Sequence, residues 1–206
     1  TLVEWNEKIN LTAITDDVEF IVKHFIDSLT INKYIEENKK IIDIGTGAGF
    51  PGIPLKILNK DHKVVLFDSL NKRINFLNTV CQELSLKDVQ AVHGRAEDFG
   101  KKVEYREKFD LCVSRAVANL STLSEYCIPY VNVGGAFIPY KSGEIDTELS
   151  QAKKAIHILG GKINELIKFQ LPGSEINRSF VNIQKVQNTP KKYPRKAGLP
   201  AKEPLS

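Results

Sequence analysis

Apolar residues follow two rhythms along the chain. From Val18 to Ile35 they recur at helical spacing (Val18, Ile21, Val22, Phe25, Ile26, Leu29), which predicts an amphipathic helix with one buried face, capped by Asp16 or Thr15. After it, short apolar runs alternate with helical stretches. Strands are predicted at Ile41 to Ile44, Val64 to Phe67, Val89 to Val92, Phe109 to Val113 and Ala136 to Ile138, with helices around Phe50 to Leu58, Lys72 to Leu84 and Leu120 to Tyr130. This alternation predicts an α/β, doubly wound fold with four or five parallel strands. Beyond Gly143 a helix is expected to about Leu159. Two strands follow, Lys162 to Gln170 and Ser179 to Val186, separated by a turn at Pro172 and Gly173 and expected to pair antiparallel. The whole reads as one domain: a helical extension (1–38), an α/β core (39–188) and a tail (189–206).

Charge changes the picture only at the end of the chain. Of 29 basic and 25 acidic side chains, five basic and one acidic fall in the last 17 residues, so the body is formally neutral. Lys191, Lys192, Arg195, Lys196 and Lys202 are interleaved there with Pro190, Pro194, Pro200 and Pro204. Proline at this density argues against a regular helix, leaving an extended segment that is either solvated or laid along phosphates. No apolar run is long enough to cross a bilayer. Nothing near the start resembles a signal peptide, and the three cysteines (Cys81, Cys112, Cys127) are widely spaced and outside any CxxC pair, which reads as a reduced, cytoplasmic protein with no metal site. A monomer is expected. The chain holds no methionine and opens within a helical pattern, so further residues are expected before it.

The chemistry concentrates after the first strand, in DIGTGAGFPG, where Gly45, Gly47 and Gly49 let the backbone turn tightly and approach a ligand. A dinucleotide loop would continue to a glycine at position 50, which is Phe50 here. Asp43, two residues before GxGxG, fits instead the loop of S-adenosylmethionine enzymes, and Asp68, after VVLF, suits both ribose hydroxyls. Glu97 or Asp98, in HGRAED, is a candidate for the adenine amino group. Ser114, Arg115 and Ala116 end the fourth strand, where reacting groups gather, and Arg115 is the candidate catalytic residue. Together these predict a class I methyltransferase fold with a mostly parallel seven-stranded sheet. Rival readings are a methyltransferase for a small molecule or protein, and an inactive donor-binding protein. The first lacks a lid insertion, and the second sits poorly with an intact loop.

The set resembles the RsmG (GidB) family of small-subunit rRNA methyltransferases. The likeness rests on WNEKINLT (Trp5 to Thr12), KHFIDSL (Lys23 to Leu29), DIGTGAGFPGIPL (Asp43 to Leu55), FDSLNKRINFL (Phe67 to Leu77), GRAED, FDLCVSRAVANL and PRKAGLPAKEPL. The resemblance implies methylation of guanine N7 in a loop of 16S rRNA near the decoding site, on free RNA or the 30S subunit. S-adenosyl-L-methionine would be the donor and S-adenosyl-L-homocysteine the product, with donor contacts at Gly45, Phe50, Ala96, Glu97 and Arg115. Asn10, His24, Lys72, Arg73, Lys141 and Arg178 lie in or near family-like segments and are candidates for binding RNA. Asn10 and His24 have an equal claim to be structural hydrogen-bonding residues, and Lys72 and Arg73 to be solvated. Lys141 sits in a turn resembling the family's Lys-Gly turn with a serine inserted. The resemblance also recasts Lys191, Lys192, Arg195 and Lys196 as an RNA arm.

Overall fold

The computed structural model describes residues 5, 6, 9, 11, 12, 14, 16–115 and 117–205; Asn10, Thr15 and Ala116 lie outside them. Seven strands form one sheet in the order β3-β2-β1-β4-β5-β7-β6, where β1 is Lys40–Ile44, β2 Lys63–Asp68, β3 Val89–His93, β4 Phe109–Arg115, β5 Val131–Ser142, β6 Gly161–Gln170 and β7 Asn177–Lys185. Strands β1 to β5 run parallel; β6 and β7 pair antiparallel, as the terminal pattern predicts, and β7 also pairs antiparallel with β5.

Both faces of the sheet are covered, which is why β1 and β2 read as continuous apolar runs rather than alternating ones. Successive β1 residues divide between two cores: Ile42 and Ile44 pack with Leu120, Leu123 and Ile156, while Ile41 packs with Ile53, Phe76 and Leu77. Strand order reverses beside β1, whose neighbours are β2 and β4. In an open α/β sheet this reversal leaves a crevice beyond the carboxyl ends of the strands, and here it falls at Ile44 and Arg115.

The N-terminal helix departs from expectation. Asp16 caps it, accepting from Glu19 N at 2.8 Å. It is then broken into α1 (Asp17–Phe20), a π-helical turn (Ile21–Ile26) and α2 (Asp27–Leu29), with a 3-10 turn at Asn32–Tyr34. The predicted apolar face is largely outside, with Val18 70% and Ile21 52% exposed. The face turned inward carries Phe20, His24, Asp27 and Ser28 at the same helical spacing. It meets the polar ends of β4, β5 and β7, which supply donors rather than apolar surface.

Further along, among the described residues, come α3 (Gly52–Leu58), α4 (Asn71–Glu83), α5 (Ala96–Phe99), α6 (Leu120–Cys127), followed by a 3-10 turn at Ile128–Tyr130, α7 (Asp146–Ile158) and α8 (Leu199–Lys202). The last corrects the extended tail. One helical turn forms there because Pro200 stands in its first turn, where a missing N–H costs nothing. The tail packs onto the body, with Tyr193, Pro194 and Pro200 buried.

Candidate active site

Two carboxylates hold the glycine-rich loop. Asp43, at the end of β1, is 0% exposed, and its Oδ2 accepts from Thr46 Oγ1 at 2.7 Å and Gly52 N at 2.9 Å. Asp68, at the end of β2, accepts from Gly47 N at 2.9 Å through Oδ2 and from Leu70 N at 2.9 Å through Oδ1. Burial pushes the Asp43 carboxyl up to about 6, against the lowering effect of its two hydrogen bonds, and its Oδ1 has no partner. Asp43 is thereby corrected from donor contact to loop brace, since no part of its side chain reaches solvent. Ser114 is also internal, its hydroxyl donating to Ile44 O at 2.7 Å and tying β4 to β1.

Beside the loop lies a cleft of about 150 Å³, lined by Ile44, Gly45, Phe67, Asp68, Ser69, Gly94, Arg95, Ala96, Glu97, Val117 and Tyr126. It unites Gly45, Asp68, Ala96 and Glu97 from three strand ends, while Gly47, Gly49 and Phe50 stand outside its lining. The lining suits a nucleoside. Phe67, Val117 and Tyr126 offer apolar surface, and Glu97 and Asp68 are acceptors at its edge. Asp68 uses three of about four lone-pair sites, the third for Arg73 Nη1 at 3.2 Å. Gly45 has φ +73°, and a Cβ there would come within 2.5 Å of Val117 Cγ2, closing the cleft. These residues fit S-adenosylmethionine.

A second cavity, about 350 Å³, shares no residue with the cleft and is lined by Ile14, Lys23, His24, Asp27, Arg115, Tyr140, Lys141, Ser142 and Arg178. Asp27, 1% exposed, organises it. Its Oδ2 accepts from Arg115 Nη1 at 3.1 Å and its Oδ1 from Arg178 Nε at 3.0 Å, so two guanidiniums share one carboxylate and leave net positive charge in the wall. Arg115 also donates to Lys23 O at 2.8 Å, within the π turn, and to His24 Nδ1 at 2.9 Å. His24 therefore carries its proton on Nε2, which faces Thr12 Oγ1 at 2.8 Å. Its ring stacks on Phe50 at 4.8 Å, making Phe50 the link between the loop and the N-terminal helix.

Arg115 thus lines the second cavity rather than the cleft. Lys141 lines it too, donating to Ala118 O at 2.7 Å and Glu148 Oε1 at 2.6 Å. Lys72, Lys191, Lys192 and Lys196 are exposed. Arg73 is committed to Asp68, which accounts for a basic residue at a helix start without a ligand. Arg195 is corrected as a free RNA contact: its guanidinium grips Glu125, which is 0% exposed, with Nη2 to Oε2 at 2.7 Å. Sequence reasoning missed Asp27, Glu125 and Val117. Asp27 had a signal, because it follows Lys23 by four residues and His24 by three and so shares their helix face.

Burial and the neighbouring Arg115 lower the His24 imidazole from 6.5 to about 4. The folded protein prefers it neutral, so its stabilising contribution is complete above 6.5 and is lost as pH falls through 4. The thermal advantage of the wild type over His24→Gln is expected to shrink between those limits; a constant difference in melting temperature would contradict this assignment. Asp43 acts in the opposite sense over much of this window, so the variant comparison, rather than the wild-type curve, isolates the histidine.

Among solved structures, TYW2 of M. jannaschii in complex with AdoMet superposes with TM-score 0.63 at 13% identity, covering 84% of this chain and 80% of that one. A SAM-dependent methyltransferase from Aquifex aeolicus gives TM-score 0.61 at 15% identity, covering 84% and 96%. At such identities the likeness establishes the class I methyltransferase fold. The sequence comparisons reach further. Proteins named ribosomal RNA small subunit methyltransferase G from Clostridium tetani (strain Massachusetts / E88) and Clostridium novyi (strain NT) are 55% and 54% identical over 204 and 206 residues. They cover 98% and 99% of this chain and 85% of each relative. The profile of the GidB family, described as rRNA small subunit methyltransferase G, matches residues 1–181, and with identity above one half along nearly the whole chain, the protein belongs to that family.

Proposed function

We propose that the protein transfers the methyl group of S-adenosyl-L-methionine to N7 of one guanine in 16S rRNA, in the conserved loop near the decoding site, acting on the free RNA or the 30S subunit. The observation that carries this reading is the pairing of a cleft lined by Gly45, Asp68, Ala96 and Glu97 with a separate cavity whose wall holds Arg115, Lys141 and Arg178, the two sharing no lining residue. Bound donor supplies an electrophilic methyl carbon on a sulfonium. Guanine N7 carries a lone pair and no proton, so the acceptor needs no general base. The site agrees with that, since His24 has both ring nitrogens engaged and is neutral at physiological pH.

The residues' work is then alignment. Asp68 and Glu97 hold the donor's hydroxyl and amino groups, and Gly45 permits its close approach. Arg115 and Arg178, steadied by Asp27, bind the O6 edge of guanine or its phosphate to one side of N7. Positive charge placed there holds the RNA without facing the cation that forms on the base. Lys72, Lys191, Lys192 and Lys196 contact phosphates outside the cavity.

Labelled S-adenosylmethionine, incubated with unmodified 16S rRNA and with 30S subunits lacking the modification, tests the reading directly. We expect 7-methylguanosine at one position, reduced roughly 100-fold in Arg115→Ala by loss of alignment. Donor binding without label in either RNA would overturn the RNA assignment and leave the fold intact.

A further inference from the structure

The tail's proline-rich, basic composition points to solvent or phosphate, yet its backbone is tied to the two helices that border the donor cleft. Gly198 N donates to Glu97 Oε1 at 2.8 Å, and Glu97 lines that cleft from α5. Pro200 O accepts from the buried Thr122 hydroxyl of α6 at 3.1 Å. Arg195 closes a two-armed pair on buried Glu125, next to the cleft residue Tyr126, and its backbone N donates to the same carboxylate at 2.7 Å. Upstream, Arg106 donates to Gly100 O, Thr189 O and Tyr193 O, clamping the start of the segment beside α5. Tyr130 reinforces α5 from the other side, its hydroxyl donating to Ala96 O at 2.8 Å.

We propose that the segment from Thr189 to Glu203 is a strap of the donor site, in which the Gly198 amide and the Arg195–Glu125 pair are positioning elements that fix the Glu97 carboxylate for S-adenosylmethionine. The proposal rests on Glu97 being a donor contact. A carboxylate with one oxygen held by a backbone amide keeps a single orientation, leaving the remaining lone pairs to meet a ligand without reorganisation. The tail then divides its labour by face: Arg195 and Gly198 point inward to the donor wall, while Lys191, Lys192 and Lys196 stay exposed.

Gly198 sits at φ +83° with open space where a Cβ would go, so a side chain there strains the backbone without a clash. In the full-length protein, Gly198→Val is expected to raise KM for S-adenosylmethionine about five- to tenfold, with kcat and KM for RNA within about twofold. Thr122→Val, which removes one strap hydrogen bond at constant shape, should raise donor KM about threefold. Lys191→Ala combined with Lys192→Ala and Lys196→Ala should move RNA KM and leave donor KM in place. Glu97→Gln separates the two readings. If it raises donor KM while folded Gly198→Val and Thr122→Val do not, the strap is overturned and Glu97 stands. If Glu97→Gln leaves donor KM unchanged, both fall. A tail acting only on RNA would move RNA KM in Gly198→Val and overturn the proposal as well.

Discussion

Alanine at Asp27 is expected to lower methyl transfer about 100- to 1000-fold while donor affinity stays within about threefold. The carboxylate is the shared acceptor of Arg115 and Arg178, and its loss leaves two guanidiniums facing each other in a mostly enclosed wall. Removing one partner of a buried charge pair costs about 3–5 kcal/mol; the partial exposure of both arginines reduces this here to about 2–3 kcal/mol. The N-terminal helix then loses its anchor to β4 and β7, and the cavity proposed for the acceptor loses one wall. The cleft beside the glycine-rich loop keeps its own braces, Asp43 to Thr46 and Gly52 and Asp68 to Gly47, so it is expected to keep its shape. Calorimetric titration with S-adenosylhomocysteine, beside steady-state kinetics, checks this split. Transfer near the wild-type rate in Asp27→Ala would show that the cavity is not the acceptor site.

Asp43→Ala acts on the other side of that divide, with donor affinity expected to fall about 100-fold through loss of loop geometry. Thr46 Oγ1 and Gly52 N lose their common acceptor, and each buried donor left without a partner costs about 1–3 kcal/mol. Partial compensation comes from removing a charge that burial disfavours. Because the folded carboxyl sits near 6, above its ordinary 3.8, its contribution to stability is complete below 3.8 and lost as pH rises through 6. The stability deficit of Asp43→Ala should therefore narrow from pH 4 to pH 6. Asp43→Asn keeps an acceptor for both donors without the charge and should retain most of the donor affinity. Equal donor affinity in wild type and Asp43→Ala would rule out the brace.

The half of the fold that carries the proposed donor cleft was legible in its sequence. Short apolar runs mark the strands buried on both faces, a 3.6-residue period marks the helices, and the β-α-β order allows few topologies. Glycines at 45, 47 and 49 and carboxylates at 43 and 68 follow from what a tight turn beside a ligand requires, so the candidate cleft could be placed at one short segment and the next strand end. Even there, the distinction between a carboxylate that faces the ligand and one that braces the loop was hidden, because it depends on which side of the backbone each side chain falls.

The cavity around Asp27 and the tail were decided by tertiary structure. Asp27 gains its role from Arg115 and Arg178, 88 and 151 residues away, and Arg195 is drawn inward by Glu125, 70 residues earlier. No local pattern encodes such a meeting. A basic residue in a polar segment looks the same whether it faces phosphate or a buried carboxylate. Local spacing specifies which elements form, and the buried face only where the neighbouring surface is apolar; the N-terminal helix, set against polar strand ends, turns Asp27 and Ser28 inward instead. The partner of a charged side chain is set by where the folded chain brings the opposite charge, since leaving either one buried and alone costs more than local propensity can offset.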